Sequence, residues 1–271
     1  MSSVIRRTFA KGAELTGSGV FTGKEAYLRL IPTDETQGIL FDIGGISIPL
    51  SIENLHETPN RSTLTLQDTK IEVVEHLVAC LHIAGITDLL IECPNGEIPL
   101  LDGSALPLWN VIDSAGSVEI NGSINPITVK EPVYVEGDEA VLIALPSPGL
   151  KISYFLAYDD PRIGCEHTSL IIDRDTFGRE IAPARSFIES ERVEEFVRKG
   201  FVKSTDASQA LVIYPDGVHG EFRVEHEFAK HKMLDLVGDL YLAGRPVRGH
   251  FIGLRSGHGL NHRMIRKLAG F

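Results

Sequence analysis

Two side chains that could bind a metal ion, His231 and Asp235, lie four residues apart in an apolar segment of the chain. On an α-helix, positions i and i+4 share a face, so this imidazole and carboxylate could close on one ion. The surrounding apolar residues are Met233, Leu234, Leu236, Val237 and Leu240. Ionisable groups on a buried helix are costly unless they meet a metal or a charged partner. The segment indicates a metal site, and a salt-bridged or capped core helix is the structural alternative.

A third ligand must come from elsewhere, because a hydrolytic zinc site uses three protein ligands and leaves a fourth position for water. The best candidate is His76, beside Glu75 in a helical segment of the first half. The imidazole can bind metal while the neighbouring carboxylate takes a proton from bound water. An exposed helix pair is the alternative for this dipeptide. We expect Zn²⁺, although two histidines and a carboxylate also suit Fe²⁺.

A further histidine, His258, lies between glycines in a predicted turn at the start of the last helix. Flanking glycines let the backbone hold the imidazole toward a cleft. Asp239, farther along the metal-binding helix, could orient His258 and keep it protonated. His82 would face the opposite side of its helix, and His226 stands between glutamates. We therefore predict neither His82 nor His226 as a metal ligand.

Size and composition indicate a globular protein of about two domains. The chain has 271 residues, of which 43% are hydrophobic and 23% charged. Its net charge of -11 argues against nucleic-acid binding, which needs a basic face. Three cysteines without a C-x-x-C pair indicate neither a disulfide framework nor a thiolate zinc site. Without a signal peptide or a long apolar run, we expect a cytoplasmic protein with no transmembrane segment.

Strand and helix patterns alternate in both halves. The first half has strand-like alternation over 26–50, and it is followed by helical patterns over 72–85 and 107–115. The polar segment 116–126 is interpreted as the domain boundary. Strands in the second half are predicted over 133–136, 140–145, 151–156, 168–172, 210–214 and 247–254. Its helices are predicted over 190–200, 228–243 and 261–268. These patterns predict an α+β protein of two similar two-layer sandwich domains, each packing helices on one sheet face.

Five segments stand out by their order and spacing. They are Glu75-His76, Leu101-Asp102-Gly103-Ser104, Ala184-Arg185-Ser186-Phe187, His231-Lys-x-x-Asp235-x-x-Gly-Asp239-Leu and Ser256-Gly-His258-x-Leu-Asn261. Together with Gly17-x-Gly19-x-x-x-Gly23 they cover essentially the whole chain. In this order they resemble the UDP-3-O-acyl-N-acetylglucosamine deacetylases of lipid A biosynthesis.

The resemblance implies a zinc amidase of two α+β domains with the active site between them. The N-terminal domain would span 1–121 and the C-terminal domain 126–271. An insert over about 188–214 would form an apolar channel for an acyl chain, although its apolar residues could equally pack the domain core. The apolar residues available there are Phe196, Val197, Phe201, Val202, Leu211 and Val212.

The resemblance also implies roles for individual residues. The zinc ligands would be His76, His231 and Asp235. Glu75 would be the general base, and His258 the general acid with Asp239 beside it. Ser186, where the family usually has threonine, would help to stabilise the oxyanion. The substrate pocket would be lined by Lys232, facing phosphate or sugar, and by Phe187.

Three positions bear on the substrate. Phe21 stands where family members commonly have histidine, and Lys203-Ser-Thr-Asp206 replaces a glycine-rich piece near the acyl passage. Arg61 adds a positive charge that could bind a diphosphate or lie on the surface. Both departures put chain-length preference or substrate identity in question.

The function implied is hydrolysis of the N-acetyl group of UDP-3-O-acyl-N-acetylglucosamine to UDP-3-O-acyl-glucosamine and acetate, early in lipid A biosynthesis. The partner would be this acylated UDP-amino sugar, and we expect a monomer. A paralogous zinc deacetylase acting on another acetylated amino sugar is one alternative. A non-catalytic zinc protein that binds a nucleotide-sugar is another, although it would need neither base nor acid.

Overall fold

The computed structural model describes residues 3–198, 210–219 and 221–271. Strands and helices mix throughout these ranges, which confirms the predicted α+β class. Part of the predicted acyl-channel insert lies outside the described residues, including Phe201, Val202 and the segment 203–206. The predicted helix end at Gly200 and the side chain of Phe196 also lie outside them. Within the described residues, no helix is both long and apolar enough to cross a membrane.

The first half is built mainly of short strands. They are β1 (Val4–Phe9), β2 (Ala13–Ser18), β3 (Glu25–Ile31), β4 (Ile39–Ile43), β5 (Ile46–Pro49), β6 (Leu55–Thr58), β7 (Arg61–Leu66), β8 (Thr69–Glu72), β9 (Leu89–Glu92) and β10 (Ser117–Ile124). Two helices interrupt them, namely α1 (Glu75–Ala84) and α2 (Leu106–Ala115). Both helices lie close to their predicted bounds.

The second half mixes strands with helices of three to fifteen residues. Its strands are β11 (Ile127–Thr128), β12 (Val133–Gly137), β13 (Ala140–Leu145), β14 (Leu150–Ala157), β15 (Cys165–Ile171), β16 (Phe187–Glu189), β17 (Leu211–Tyr214), β18 (Gly217–Val218) and β19 (Val247–Leu254). Its helices are α3 (Arg174–Thr176), which continues into a π-helical turn, α4 (Ser190–Arg198), α5 (Glu227–Tyr241) and α6 (His258–Ala269).

The main sheets of the two halves share one pairing pattern. The first has the order β2-β3-β9-β4-β5 and the second β12-β13-β19-β14-β15, with β11 added beside β19. In each sheet, the last strand in sequence takes the central position and pairs antiparallel on one side and parallel on the other. Each half also carries a small three-stranded sheet, β6-β7-β8 or β16-β17-β18. This shared pattern supports the predicted similarity of the halves.

The polar segment 116–126, interpreted above as the domain boundary, contains a regular strand. Its residues form β10, which pairs antiparallel with β1 at the start of the chain. The end of the first half is thereby tied back to its beginning. The position of the boundary itself stays a prediction.

Helix α6 begins three residues before its predicted start, and this changes the setting of His258. The sequence predicted a turn at Gly257 and Gly259, but Gly257 is an extended N-cap and His258 is the first helical residue. The amide of Asn261 donates to the carbonyl of Gly257 at 3.0 Å, which closes the first turn. No side chain caps this helix, so its sequence lacked the usual start signal.

Helices α1 and α5 cross in the interior at Gly238. Both helices are buried along most of their length. A Cβ placed on Gly238 would overlap the backbone carbonyl of Glu75, so only glycine permits this approach. The crossing brings the first turn of α1 against the helix that carries His231 and Asp235.

We expect Gly238→Ala to destabilise the protein by roughly 3 kcal/mol, because overpacking against rigid backbone forces the helices apart. Denaturant unfolding of the wild type and the variant measures this loss. Gly259→Ala is the matched control, since it is also helical and has open space around its added methyl group. Equal stability of the two variants would contradict a close contact at Gly238.

Candidate active site

Three side chains that the sequence predicted as metal ligands meet in the interior. The nearest ring nitrogens, Nε2 of His76 and Nε2 of His231, each lie 3.6 Å from Oδ1 of Asp235. The ligand atoms of all three residues lie within 4.8 Å of one another, and each residue is at most 4% exposed. The two imidazoles stand nearly perpendicular, with ring centroids 5.3 Å apart. This donor set, two nitrogens and a carboxylate, fits a zinc ion with one position left for water.

Each ligand on α5 is held by a neighbour outside the cluster. Nδ1 of His231 lies 3.3 Å from the carbonyl of Ala184, so donation to that oxygen leaves Nε2 unprotonated toward the cluster. Burial lowers the pKa of His231 to about 3, which keeps the imidazole neutral. Burial also works against the charge of Asp235, but Lys232 and the nearby histidines outweigh it and hold its pKa well below the usual range.

Lys232 pairs with Oδ2 of Asp235, whereas the two imidazoles lie nearest to Oδ1. Its Nζ lies 3.0 Å from Oδ2 of Asp235 and 5.7 Å from the centre of the Phe187 ring. Burial opposes its charge, but Asp235 and two tyrosines outweigh it and raise the pKa of Lys232. The lysine side chain still lines the cavity and is 23% exposed. It can therefore face a substrate, as the resemblance implies.

Glu75 is the buried carboxylate beside the cluster. It is the first residue of α1, it is 4% exposed, and its Oε2 accepts the backbone N–H of Ser62 at 3.0 Å. Burial raises its pKa, although His258 and His76 oppose the shift. A carboxylate whose pKa is raised above its ordinary value accepts a proton more readily. The chemistry of Glu75 thus suits a general base.

His258 meets the carboxylate that the sequence predicted as its partner. Its Nδ1 lies 2.8 Å from Oδ2 of Asp239, and its Nε2 lies 3.9 Å from Asp235. Burial opposes its charge, but Asp239 and Asp235 outweigh it and raise the pKa of His258 to about 9. Asp239 is fully buried, and despite that burial His258 and His262 hold its pKa far below the usual range. The imidazole is therefore protonated at neutral pH, as a general acid requires.

The segment containing Ser186 is held by contacts that span both halves. Its backbone N–H donates to the carbonyl of Gly103 at 2.7 Å, and its carbonyl accepts from Leu211 at 2.7 Å. The neighbouring Arg185 pairs with fully buried Glu227, Nε to Oε1 at 2.7 Å. The Leu-Asp-Gly-Ser motif of the first half thus supports Ser186 in the second.

One cavity of about 1480 Å³ reaches these residues. Its lining includes Glu75, His76, Ser186, Phe187, Lys232 and His258. From the predicted insert, Val212 also lines it, whereas Leu211 is buried at 2% exposure and Val197 is 38% exposed. These three apolar residues of the insert therefore lie in different places, one on the cavity wall, one in the core and one at the surface.

Phe21 and Arg61, two positions singled out in the sequence, lie together on the cavity wall. The guanidinium carbon of Arg61 is 3.9 Å from the centre of the Phe21 ring, and its Nη2 is 2.7 Å from Oε1 of Glu72. Phe21 lies in the loop between β2 and β3, and Glu97 anchors this loop because its carboxylate accepts the backbone N–H groups of Phe21 and Thr22, both at 2.9 Å. Arg61 is 19% exposed, so it is neither a free surface charge nor an unpaired cation.

Two residues beside the site, Ser62 and His262, were not predicted from the sequence. The hydroxyl of Ser62 lies 2.5 Å from Oδ1 of Asp239 and 2.7 Å from Nε2 of His262. His262 follows His258 by four residues, and this spacing puts two residues on one face of a helix. The sequence would therefore have indicated His262 if α6 had been predicted to begin at His258. Ser62 had no comparable signal, because nothing in the sequence distinguishes this strand serine. His82 and His226 lie away from the cluster, His82 stacked on Tyr241 and His226 exposed.

Two imidazoles and a carboxylate, with a buried glutamate and a protonated histidine beside them, are the groups that a metal-dependent hydrolase needs. Comparison with known proteins agrees with this class. Residues 6–270 match the model of the family described as UDP-3-O-acyl N-acetylglycosamine deacetylase (LpxC). The chain belongs to this family.

Curated relatives carry the same activity in their names. The chain is 36% identical to a UDP-3-O-acyl-N-acetylglucosamine deacetylase of Leptospira biflexa, over 96% of this chain and 89% of that protein. It is similar to proteins of the same name from Thermodesulfovibrio yellowstonii, at 36% identity over 97% and 91% of the two chains, and from Chlamydia caviae, at 35% over 97% and 96%. The likeness thus covers nearly all of each protein.

We expect His231→Ala and Asp235→Ala to abolish stoichiometric zinc binding, because each removes a ligand from a three-ligand site. Zinc and iron in the purified protein are measured together by elemental analysis, which also tests Fe²⁺. His226→Asn is the matched control, since it removes an exposed histidine near His231 while asparagine tolerates the left-handed backbone there. Wild-type metal content in folded ligand variants would rule out this cluster as the site.

Proposed function

We propose that this protein is a zinc-dependent deacetylase that hydrolyses the N-acetyl group of UDP-3-O-acyl-N-acetylglucosamine, giving UDP-3-O-acyl-glucosamine and acetate in lipid A biosynthesis. The observation that carries the proposal is that Glu75 and His258 both lie beside the His76, His231 and Asp235 cluster, within one cavity. Family membership supports the substrate.

Zinc is the proposed metal, held by His76, His231 and Asp235. Two features of the chain support the fit: His231 presents an unprotonated nitrogen, and Asp235 keeps its charge although it is buried. When bound, zinc supplies Lewis acidity, which lowers the pKa of water and polarises a carbonyl oxygen. Fe²⁺ is the alternative that the same donor set allows.

In this proposal two side chains of the site transfer protons and a third stabilises the oxyanion. Glu75 accepts the proton of the attacking water, because its raised pKa favours proton binding. The hydroxyl of Ser186 donates a hydrogen bond to the oxyanion that forms on the acetyl carbon. Protonated His258 then gives its proton to the departing amine, and Asp239 stabilises the charge of the imidazole before this transfer.

Substrate contacts are proposed for the cavity wall around this centre. Lys232 faces the phosphate or sugar region, and Phe187 packs against the substrate. The acyl chain lies along the insert, where Val212 lines the cavity. Glu72 pairs with both Arg61 and Lys70, so these three side chains keep a net positive charge, and Arg61 is a candidate contact for the diphosphate. The two-domain boundaries, a monomeric state and a cytoplasmic location remain predictions.

We expect Glu75→Gln to lower kcat by about 10²- to 10⁴-fold, because it removes the group that accepts the proton of water. The measurement is acetate release from the acylated UDP-sugar, together with zinc content. Zinc content should stay at the wild-type level, since Glu75 is not a proposed ligand. Chelation of the wild-type protein should abolish release, and added zinc should restore it.

The same assay separates the alternatives. Turnover of a different acetylated amino sugar alone would favour the paralogous deacetylase. Bound zinc with no acetate released from any such sugar would favour a non-catalytic zinc protein, and full activity in Glu75→Gln would remove Glu75 as the base.

The rate should also depend on the proton of His258. Asp239 and Asp235 raise the pKa of His258 to about 9, and a bound cation would lower this pKa. The imidazole loses its proton as the pH rises through its pKa. Because the proposed acid works in its protonated form, kcat/KM should fall over the same range. In Asp239→Asn, loss of the nearest negative charge should move this alkaline limb to lower pH by about one unit or more. A limb at the same pH in both proteins would count against the pair.

A further inference from the structure

Two buried side chains without an assigned role connect the proposed base to the proposed acid. Ser62, on β7, donates its backbone N–H to Oε2 of Glu75 at 3.0 Å. Its hydroxyl lies 2.5 Å from Oδ1 of Asp239, the carboxylate that holds His258. Ser62 thus contacts the proposed base, Glu75, and the carboxylate of Asp239, which holds the proposed acid.

The hydroxyl of Ser62 also contacts His262. Nε2 of His262 lies 2.7 Å from Oγ of Ser62 and 3.4 Å from Oδ1 of Asp239. A hydroxyl has one proton to donate and lone pairs with which to accept. When Nε2 of His262 donates to Oγ, the hydroxyl proton is directed to Asp239. The resulting chain of hydrogen bonds runs from His262 through Ser62 to Asp239.

With these hydrogen bonds, both carboxylate oxygens of Asp239 accept from donors. Oδ1 accepts from Ser62, while Oδ2 accepts from Nδ1 of His258 and from Nδ2 of Asn261, each at 2.8 Å. A carboxylate held in this way cannot turn without breaking a hydrogen bond. Ser62 and Asp239 are fully buried and His262 is 1% exposed, so no water can replace a lost partner without rearrangement.

We propose that Ser62 and His262 are positioning residues. They hold the general acid, His258, and the general base, Glu75, in fixed relative positions across the contact between the two halves of the chain. The inference rests on the proposed function, because the acid and the base are defined by that hydrolysis. It predicts that both residues act on the chemical step and not on substrate or metal binding.

The test compares Ser62→Ala and His262→Leu with the wild-type zinc protein in the acetate-release assay. Ser62→Ala removes the hydroxyl and keeps the backbone N–H that Glu75 accepts. We expect kcat to fall about tenfold to hundredfold, as for loss of a hydrogen bond to a charged group, with KM changed less than about twofold. Zinc content should be unchanged. His262→Gln, whose side-chain amide can donate to Oγ, should recover most of the rate.

The double variant makes the test sharper. Because both substitutions interrupt one chain of hydrogen bonds, Ser62→Ala with His262→Leu should be no slower than the slower of the two variants with one substitution. Ser153→Ala is the matched control. Ser153 is a nearly buried strand serine whose hydroxyl lies 2.9 Å from Nε2 of His250, and it does not line the cavity. Its kcat should stay within about twofold of the wild type.

The outcomes separate this inference from the proposed function. A wild-type zinc protein that releases no acetate would overturn both. An active wild type would leave the function standing and overturn the positioning role under any of three results: multiplied losses in the double variant, a change confined to KM, or an equal loss in Ser153→Ala. Thermal unfolding of every variant shows whether lost activity follows lost folded protein.

Discussion

Helices α1 and α5 approach each other so closely that the backbone carbonyl of Glu75 occupies the space where any other residue at Gly238 would have a side chain. Asp239 follows this contact directly, and Asp235 lies one turn before it. The first turn of α1 therefore brings Glu75 and His76 against the ionisable face of α5. The distance of 3.6 Å between His76 and Asp235 depends on this approach. A metal site built from both halves needs it.

Three carboxylates share this interior, and their surroundings push their pKa values in different directions. Asp235 is balanced by Lys232 and the histidines, and Asp239 by His258 and His262, so both remain ionised although fully buried. Glu75 accepts the backbone N–H of Ser62, and burial raises its pKa. Separation of pKa values among neighbouring groups is how one site obtains distinct acids and bases. This difference in partners supports the proposed roles of Glu75 as base and Asp235 as metal ligand.

Much of the site could be predicted from local patterns. The four-residue spacing of His231 and Asp235 and the apolar residues around them indicated a buried helix, and α5 spans Glu227–Tyr241. The start of α6 was predicted too late because Gly257 and Gly259 indicated a turn and no capping side chain marked the helix. That error hid His262. Ser62 could not be found, since its hydrogen-bond partners are 177 and 200 residues away in sequence.

The sequence by itself determined the α+β class and the ionisable faces of the helices, because helical spacing and apolar periodicity are set within a few neighbouring residues. The order and spacing of its motifs indicated the family by resemblance. Only the tertiary structure decided which groups meet and in which protonation state. Burial and charged partners set a pKa, and for Glu75 and His258 both are supplied by segments far apart in the chain. The contact at Gly238 joins those segments, and a glycine in a helical pattern does not indicate which backbone will pack against it.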